Sequence, residues 1–281
     1  MIAWYFWLSQ LEICGLPNKM KKYTEKLHTI DDEKMQSLKR KFFEEPQKVI
    51  GRDKFIDQAH NWFLSTKLNT LHGVEKFDKK DIIIGCTQYI ETLALKNKWN
   101  IQILPKEYAY YSVMGKRTTN AGELQPKVPL IVSIPNYFYG HRPEWQDLLK
   151  ECEQKEIDIH VDCAWMVAAK DIELDFDHPN IKSFAMSMSK YIGQWNRIGL
   201  RWSKQKTMDS ITLFNVQNKY NEALVSCGSM MMDNIERDYG WNTYGEKYQK
   251  LCEEMNLEQT KFFYVAKKDG VPVGLSNALV S

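Results

Sequence analysis

The chain has 281 residues, of which 43% are hydrophobic and 26% charged. This length suits one large α/β domain, or a main domain with a smaller satellite, and the composition excludes a disordered or fibrous protein. The formal net charge is only +2, and Lys and Arg form no more than short clusters, which argues against a nucleic-acid partner. Six cysteines without a C-x-x-C pair predict neither a zinc ribbon nor a disulfide framework, and we expect reduced thiols in a cytoplasmic protein.

The first third of the chain predicts surface helices. Residues 1–8 are apolar and aromatic but lack the features of a secretory signal, so we expect a strand or helix that packs on the body. Residues 19–45 and 53–68 have helix-compatible patterns, and Pro46 should end the first of these helices. Apolar runs are too short to span a membrane, and no membrane is expected as a partner.

From residue 81 onward, short apolar strands alternate with helical segments. Strands are predicted at 81–85, 101–104, 130–134, 157–161 and 184–186, and helices after the first strand and at 145–152. The final third reads as helical over 215–256, with one more strand at 262–265. This alternation favours an α/β fold with a mostly parallel sheet flanked by helices.

Polar residues stand where several of the predicted strands end. In open α/β sheets ligands bind beyond the carboxyl ends of the strands, because loops and helix N-termini converge there. A turn that opens a helix suits a phosphate, a strand-end aspartate suits a cation, and a lysine can act as an amine nucleophile. The pattern therefore predicts a site for a phosphorylated aldehyde with a basic ring. Its candidate residues are Cys86, Thr87, Gln88, Asn136, Asp162, Ser187 and Lys190.

Residues 187–199 carry the most specific motif. They include S-M-S-K-Y-I-G and then R-I-G, which resemble the S-x-S-K and R-x-G motifs of the fold type I pyridoxal-phosphate (PLP) enzymes, in particular the class I/II aminotransferases. The resemblance extends over residues 82–202. It implies that Lys190 holds PLP as a Schiff base, while Ser187 and Arg197 bind the phosphate.

The same resemblance implies further cofactor contacts. Asp162, in the segment V-D-C-A-W, resembles the family's D-x-A-Y aspartate, which pairs with the pyridine nitrogen and keeps it protonated. Tyr108 matches the aromatic residue that stacks on the ring, and Asn136 resembles the asparagine that binds the ring hydroxyl. The turn at 85–88 matches the phosphate turn, which implies cofactor contacts from Cys86, Thr87 and Gln88.

Two site positions depart from the family spacing. Lys190 and Arg197 are seven positions apart, where the family usually has eight, so residues 194–196 must absorb a deletion. If the sequence is aligned with the family motif through Gly140 without a gap, Tyr137 takes the place of the asparagine that binds the ring hydroxyl. Both Asn136 and Tyr137 therefore stay candidates for that contact. In addition, Trp165 replaces the tyrosine that follows D-x-A in the family.

The largest departure lies near the C-terminus. Family members carry a late arginine that binds the substrate carboxylate, whereas Arg237 is the last arginine of this sequence. We therefore expect an abbreviated small domain. The expected division is an N-terminal segment over 1–45, a PLP-binding large domain over 46–215, and a helical segment with the small domain over 216–281.

The resemblance implies an enzyme that acts on an amino acid or amine with PLP as cofactor. Transfer of the amino group to a 2-oxo acid is the expected reaction, and elimination or cyclisation of a modified amino acid is the alternative. The resemblance also implies a homodimer with its active sites at the subunit interface. The aromatic segment over 4–7 is a candidate for part of that interface.

Two other functions have some support in the sequence. His160 and Asp162 are two apart on a predicted strand and face the same side, so they could be two ligands of a metal-dependent hydrolase. A cofactor-binding protein without catalysis is the second, since the C-terminal region is short. The combined presence of Lys190, Asp162 and Arg197 argues for catalysis.

Overall fold

The structure, a computed structural model, describes residues 27, 29–45, 48–108, 110–111, 116–117, 120–138, 140, 142–191 and 196–281. Its α-helices are α1 (Glu33–Glu44), α2 (Arg52–Leu64), α3 (Gly85–Lys96), α4 (Trp145–Gln154), α5 (Ser210–Val216), α6 (Glu222–Asn234), α7 (Tyr239–Glu254) and α8 (Ser276–Val280). Its strands are β1 (Thr70–His72), β2 (Lys79–Ile83), β3 (Gln102–Ile103), β4 (Lys116–Arg117), β5 (Leu130–Ser133), β6 (Ile159–Asp162), β7 (Glu173–Asp175), β8 (Ile181–Ser187), β9 (Gly199–Ser203), β10 (Glu258–Phe262), β11 (Val265–Lys268) and β12 (Val271–Gly274). The expectations for residues 1–8, Pro46 and the aromatic segment over 4–7 lie outside the described residues.

A seven-stranded sheet forms the centre of the molecule, with the strand order β2-β9-β8-β6-β5-β3-β4. β9 runs antiparallel to both of its neighbours, and the other adjacent strands are parallel. The predicted α/β fold with a mostly parallel sheet is therefore confirmed. The sheet also places the ends of β5, β6 and β8 side by side, because Ser133 pairs with Asp162 and Asp162 with Ala185.

β9 was not predicted, because a charged residue stands in its middle. Arg201 is 2% exposed, and its guanidinium lies 2.6 Å from a carboxylate oxygen of Asp81 and 2.6 Å from one of Asp209. Two carboxylates and the Thr212 hydroxyl thus stabilise a cation that would otherwise be costly to bury. Asp81 stands 120 positions before Arg201, and no spacing in the sequence indicates that the two residues meet.

Helices cover both faces of the central sheet. On one face α3 packs against alternate strand residues, including Ile83, Ile131 and Ala185. On the other face α2 and α4 belong to a larger cluster with the intervening residues, such as Val132 and Phe184. Side chains on a strand alternate between faces, so apolar runs of this kind are expected where a sheet is buried on both sides.

The predicted strand at 262–265 is wrong. β10 ends at Phe262 and β11 begins at Val265, and these two residues pair across a tight antiparallel hairpin. The intervening Phe263 and Tyr264 form the turn, yet both are buried. An apolar run normally predicts a strand, but here the hairpin tip docks on the body: Phe262 bridges to Ala169.

The described part of the chain has no helix with the length and apolar character that a bilayer crossing requires.

Replacing Phe184 with Ala should strongly destabilise the fold. Its buried ring stacks on Phe176 at 4.1 Å and on Trp202 at 4.8 Å between ring centroids. We expect the free energy of unfolding to fall by about 3–5 kcal/mol, measured by urea denaturation. Phe43→Ala is the matched control, because Phe43 is 69% exposed, and it should change stability by less than about 0.5 kcal/mol. Equal losses in the two variants would contradict the assignment of Phe184 to the core.

Candidate functional site

A turn between β2 and α3 forms one side of the site. Gly85 opens α3 with φ of +70°, a left-handed conformation that glycine adopts without strain. The Gln88 side chain accepts a hydrogen bond from the Ile84 N–H at 2.8 Å and closes the turn. Arg197 Nη2 donates to Thr87 Oγ1 at 2.8 Å. The helix N-terminus, the Thr87 hydroxyl and the Arg197 guanidinium therefore meet in one place, which suits an anion such as a phosphate.

Lys190 lies at the end of β8, in the short turn Met188–Lys190. Ser187, the last residue of the strand, is fully buried, and its hydroxyl lies 2.8 Å from the Ser189 hydroxyl. The half-buried Lys190 side chain places Nζ 4.8 Å from the centroid of the Trp165 ring. Its carbonyl oxygen accepts a hydrogen bond from Tyr264 at 2.8 Å, so the C-terminal hairpin holds the lysine's turn.

The surroundings of Lys190 favour its neutral amine. Burial lowers the pKa of Lys190 below the ordinary value for lysine; the Asp162 carboxylate opposes this shift, and the Arg197 guanidinium adds to it. A lysine is nucleophilic only when it is deprotonated. Lys190 therefore has the chemistry that attack on an aldehyde requires.

Asp162 ends β6 and is 6% exposed. Its carboxylate accepts hydrogen bonds from the Ala164 N–H at 2.8 Å and from the Tyr111 hydroxyl. Burial raises the pKa of Asp162, whereas the donors Tyr111, Ala164 N–H and Cys86 and the charge of Lys190 act in the opposite direction. A buried carboxylate held by several donors is suited to pairing with a positively charged N–H group.

Four residues behind Asp162 were missed by sequence reasoning: Tyr111, Ser133, Glu107 and Arg142. The Tyr111 hydroxyl lies 3.2 Å from the Ser133 hydroxyl, and Ser133 donates to Glu107 at 2.5 Å. Glu107 also accepts from Arg142 Nη2 at 2.5 Å. All four side chains are buried. Only Ser133, a polar residue near the end of the strand predicted at 130–134, carried a signal that could have been used.

Aromatic residues surround the site. Tyr108 is 48% exposed, and its ring centroid lies 6.0 Å from that of Tyr111, which binds Asp162. Trp165 contacts Tyr137, Phe262 and Tyr264, with ring centroids 6.2, 5.2 and 5.9 Å away. Tyr108 is thus partly open to solvent beside Tyr111, and its stacking on a bound ring stays a prediction.

The structure brings Asn136 and Tyr137 near the site in different ways. Asn136 is fully buried, and its side-chain amide donates to the Lys106 carbonyl at 3.1 Å and accepts from the Phe138 N–H at 2.8 Å. The Tyr137 ring lies against Trp165, the neighbour of Lys190. A contact from either residue to a bound ring stays a prediction.

His160 and Asp162 do not form a metal centre in the described part of the chain. His160 Nδ1 lies 2.7 Å from the Ser183 hydroxyl, and burial lowers the pKa of His160 to about 3. Among the described residues, no group of three or more His, Cys, Asp or Glu side chains could hold a metal ion. The metal-dependent hydrolase therefore finds no structural support there.

Arg237 has a structural role. It is 3% exposed, and its guanidinium donates to the carbonyl oxygens of Val167 at 2.9 Å and Met166 at 2.5 Å. These carbonyls belong to the turn that follows Asp162. Arg237 therefore supports the loop behind the site, and it does not replace the late arginine of the family.

The side chains at this sheet edge fit a phosphorylated aldehyde with a basic ring. They supply an amine of lowered pKa at Lys190, a buried carboxylate at Asp162 and a guanidinium at Arg197. Next to Arg197, Asn196 is fully buried, and its amide has no hydrogen-bond partner among the described residues. An unsatisfied buried amide is expected where a ligand completes a site.

Comparisons with known proteins identify the fold. Aspartate aminotransferase from Thermus thermophilus with maleate matches at a TM-score of 0.58 and 11% identity, over 85% of this chain and 75% of that one. Tyrosine aminotransferase from Leishmania infantum matches at 0.55 and 14% identity, over 83% and 76%. A PLP-bound C-S lyase from Staphylococcus hominis matches at 0.54 and 10% identity, over 90% and 77%. The chain has the aminotransferase fold.

The aminotransferase fold is the one that the S-x-S-K motif implies, so this expectation is confirmed. No protein-family model matches the sequence, and no curated protein matches it. At 10–14% identity the likeness to these structures extends to the fold alone. The roles of Lys190, Asp162 and the other residues of the site must therefore be argued from their own geometry.

Lys190 should react with amine reagents at lower pH than a free lysine. Its lowered pKa means that the neutral, nucleophilic form appears at lower pH. The test is a short pulse of acetic anhydride across a pH series, with the Lys190 peptide quantified by mass spectrometry against added Nα-acetyl-lysine. Asp162→Asn should lower the midpoint further, because it removes a charge that stabilises the ammonium form. A Lys190 midpoint at or above that of the reference would contradict this prediction.

Proposed function

We propose that this protein is a PLP-dependent enzyme that transfers the amino group of an amino acid to a 2-oxo acid. One observation carries the proposal. An amine of lowered pKa at Lys190, a buried carboxylate at Asp162 and an anion site at Thr87 and Arg197 lie at the same edge of one sheet. The solved structures with this fold are named as aminotransferases and as a PLP-bound C-S lyase, which supports PLP as the cofactor.

Each residue has a distinct task in this proposal. Thr87, Arg197 and the N-terminus of α3 hold the phosphate, with Cys86 and Ser187 beside them, and Asp162 keeps the ring nitrogen protonated. When bound, PLP withdraws electrons from the bonds to the substrate Cα. Lys190 Nζ accepts the proton from the substrate Cα, and its lowered pKa suits this role as a general base.

Elimination on a modified amino acid is the second candidate. It is favoured by the C-S lyase, whose structure matches over 90% of this chain. The residues that would hold PLP are the same for both reactions, so the residues that orient the substrate decide between them. A cytoplasmic homodimer, and a division into a large domain over 46–215 and a small one over 216–281, also belong to the proposal.

The protein should bind PLP through Lys190. We expect an absorption band in the near-ultraviolet or visible range after incubation with PLP, and a pyridoxyl mass on the Lys190 peptide after borohydride reduction. Lys190→Ala should lose the covalent label. Colourless protein without label would overturn the assignment.

The phosphate site provides a sharper test of the same binding mode. Arg197→Ala removes a charge-assisted hydrogen bond worth about 1.5–3 kcal/mol, so the Kd for PLP should rise roughly 10- to 150-fold. Pyridoxal without phosphate is the matched ligand, and its affinity should stay nearly unchanged. An equal loss for both ligands would show that Arg197 does not bind the phosphate.

Transamination should release a 2-oxo acid and leave the cofactor as pyridoxamine phosphate. The test is to add a panel of amino acids to the PLP-loaded protein, then to detect pyridoxamine phosphate and the 2-oxo acid by chromatography. Lys190→Ala should lose turnover, because it removes the base at Cα. Turnover that releases a thiol or another leaving group, with no pyridoxamine phosphate formed, would contradict transamination and support elimination.

A further inference from the structure

A continuous line of buried hydroxyls joins two carboxylates beneath the site. Tyr111 donates a hydrogen bond to Asp162, and Ser133 donates to Glu107 at 2.5 Å. The two hydroxyl oxygens lie 3.2 Å apart. Ser133 also donates its backbone N–H to Glu107 at 3.1 Å, so the glutamate is fixed beside the end of β5.

The hydrogens of this line can be counted. When both carboxylates are ionised, the Tyr111 hydroxyl donates to Asp162 and the Ser133 hydroxyl donates to Glu107. Neither hydroxyl then has a hydrogen left to donate to the other, so the contact between them is not a hydrogen bond. One added proton fills every contact. It can stand on Glu107, with all donors directed toward Asp162, or on Asp162, with all donors directed toward Glu107.

We propose that Asp162 and Glu107 share one proton along the line of Tyr111 and Ser133, so that Glu107 controls the ionisation of Asp162. The transfer is balanced. The Glu107 proton passes to Ser133 Oγ, the Ser133 proton to Tyr111 Oη, and the Tyr111 proton to Asp162 Oδ2. Three O–H bonds break and three form, and the total charge does not change. Glu107 is in this sense a positioning residue, since it acts on the site through Asp162.

The charges around the two ends favour different positions of the proton. Arg142 Nη2 lies 2.5 Å from Glu107 and favours its ionised form, although Glu144 shares the same guanidinium at 2.7 Å. Near Asp162, Lys190 favours an ionised aspartate when its amine is protonated. The other titratable groups that face Asp162 are Cys86 and Tyr89 of α3 and the adjacent Cys163.

Burial supports the sharing of a single proton. It raises the pKa of Glu107, against the charge of Arg142 and the hydrogen bonds of Ser133, and it also raises the pKa of Asp162. Two ionised carboxylates in one buried network repel each other, and one proton removes that repulsion. A cation that pairs with Asp162 would then move the proton toward Glu107.

This inference deepens the proposed function, but it can be tested without any cofactor. The test is to follow the carboxyl ¹³C resonances of labelled Asp and Glu by NMR across a pH series. Asp162→Asn and Glu107→Gln assign the two signals by their disappearance. The variants that interrupt the line are Ser133→Ala and Tyr111→Phe. Tyr110→Phe is the matched control, because the Tyr110 hydroxyl donates to Glu91 and lies outside the line.

In the unchanged protein, the Asp162 and Glu107 signals should each move in the same two steps, since a coupled pair titrates with shared midpoints. In Ser133→Ala and in Tyr111→Phe, each signal should move in one step at its own midpoint, and Tyr110→Phe should retain the two-step curves. One-step curves in the unchanged protein would overturn the proposal. Two-step curves that persist in both line variants, or that vanish in Tyr110→Phe, would overturn it as well.

Addition of PLP separates this inference from the proposed function. If PLP binds, the Glu107 signal should shift toward its protonated position at a pH where Glu107 is otherwise ionised, and a Glu107 signal that does not move would contradict the inference. If PLP does not bind, the proposed function fails, while the titration curves of the unloaded protein still decide whether the proton is shared.

Discussion

The burial of a carboxylate at the end of β6 is the constraint on which the rest of the site depends. Asp162 has lost nearly all contact with water, so neighbouring elements must supply its hydrogen bonds. Tyr111, from beside β5, and Cys86, from α3, donate hydrogen bonds, whereas Lys190, in the turn after β8, acts through its charge. These elements meet at Asp162 because the sheet order places β6 between β5 and β8. The topology therefore decides which side chains can serve the carboxylate.

The parts of the site that could be predicted are those in which chemistry follows a strand directly. Asp162 and Lys190 come at or just after the end of an apolar strand, and the turn at 85–88 joins a strand to a helix, so their place at one sheet edge follows from local patterns. Glu107 and Arg142 are 35 positions apart and neither lies in a strand or helix. Their pairing depends on how two loops fold over the sheet edge. The spacing of residues in the sequence does not predict the conformation of these loops.

Two of the errors in the fold prediction have identifiable physical causes. β9 was missed because a buried arginine interrupts it, and the hairpin over 262–265 was read as a strand because its turn is apolar. A run of apolar residues indicates that a segment is buried. It indicates a strand only where strands are apolar and the turns between them are polar. Arg201 is buried because Asp81 and Asp209 neutralise it, and Phe263 turns the chain inside the core.

The C-terminal hairpin contacts the surroundings of Lys190. Tyr264 binds the carbonyl of Lys190, and Phe262 and Tyr264 both contact the ring of Trp165. Trp165 in turn lies against the amine of Lys190. An aromatic wall therefore stands on the side of Lys190 that faces the C-terminal hairpin, where the family motif has a tyrosine in place of Trp165. The C-terminal hairpin thus reaches the turn of Lys190 both through a hydrogen bond and through this aromatic wall, so the packing of the last strands fixes the surroundings of the amine.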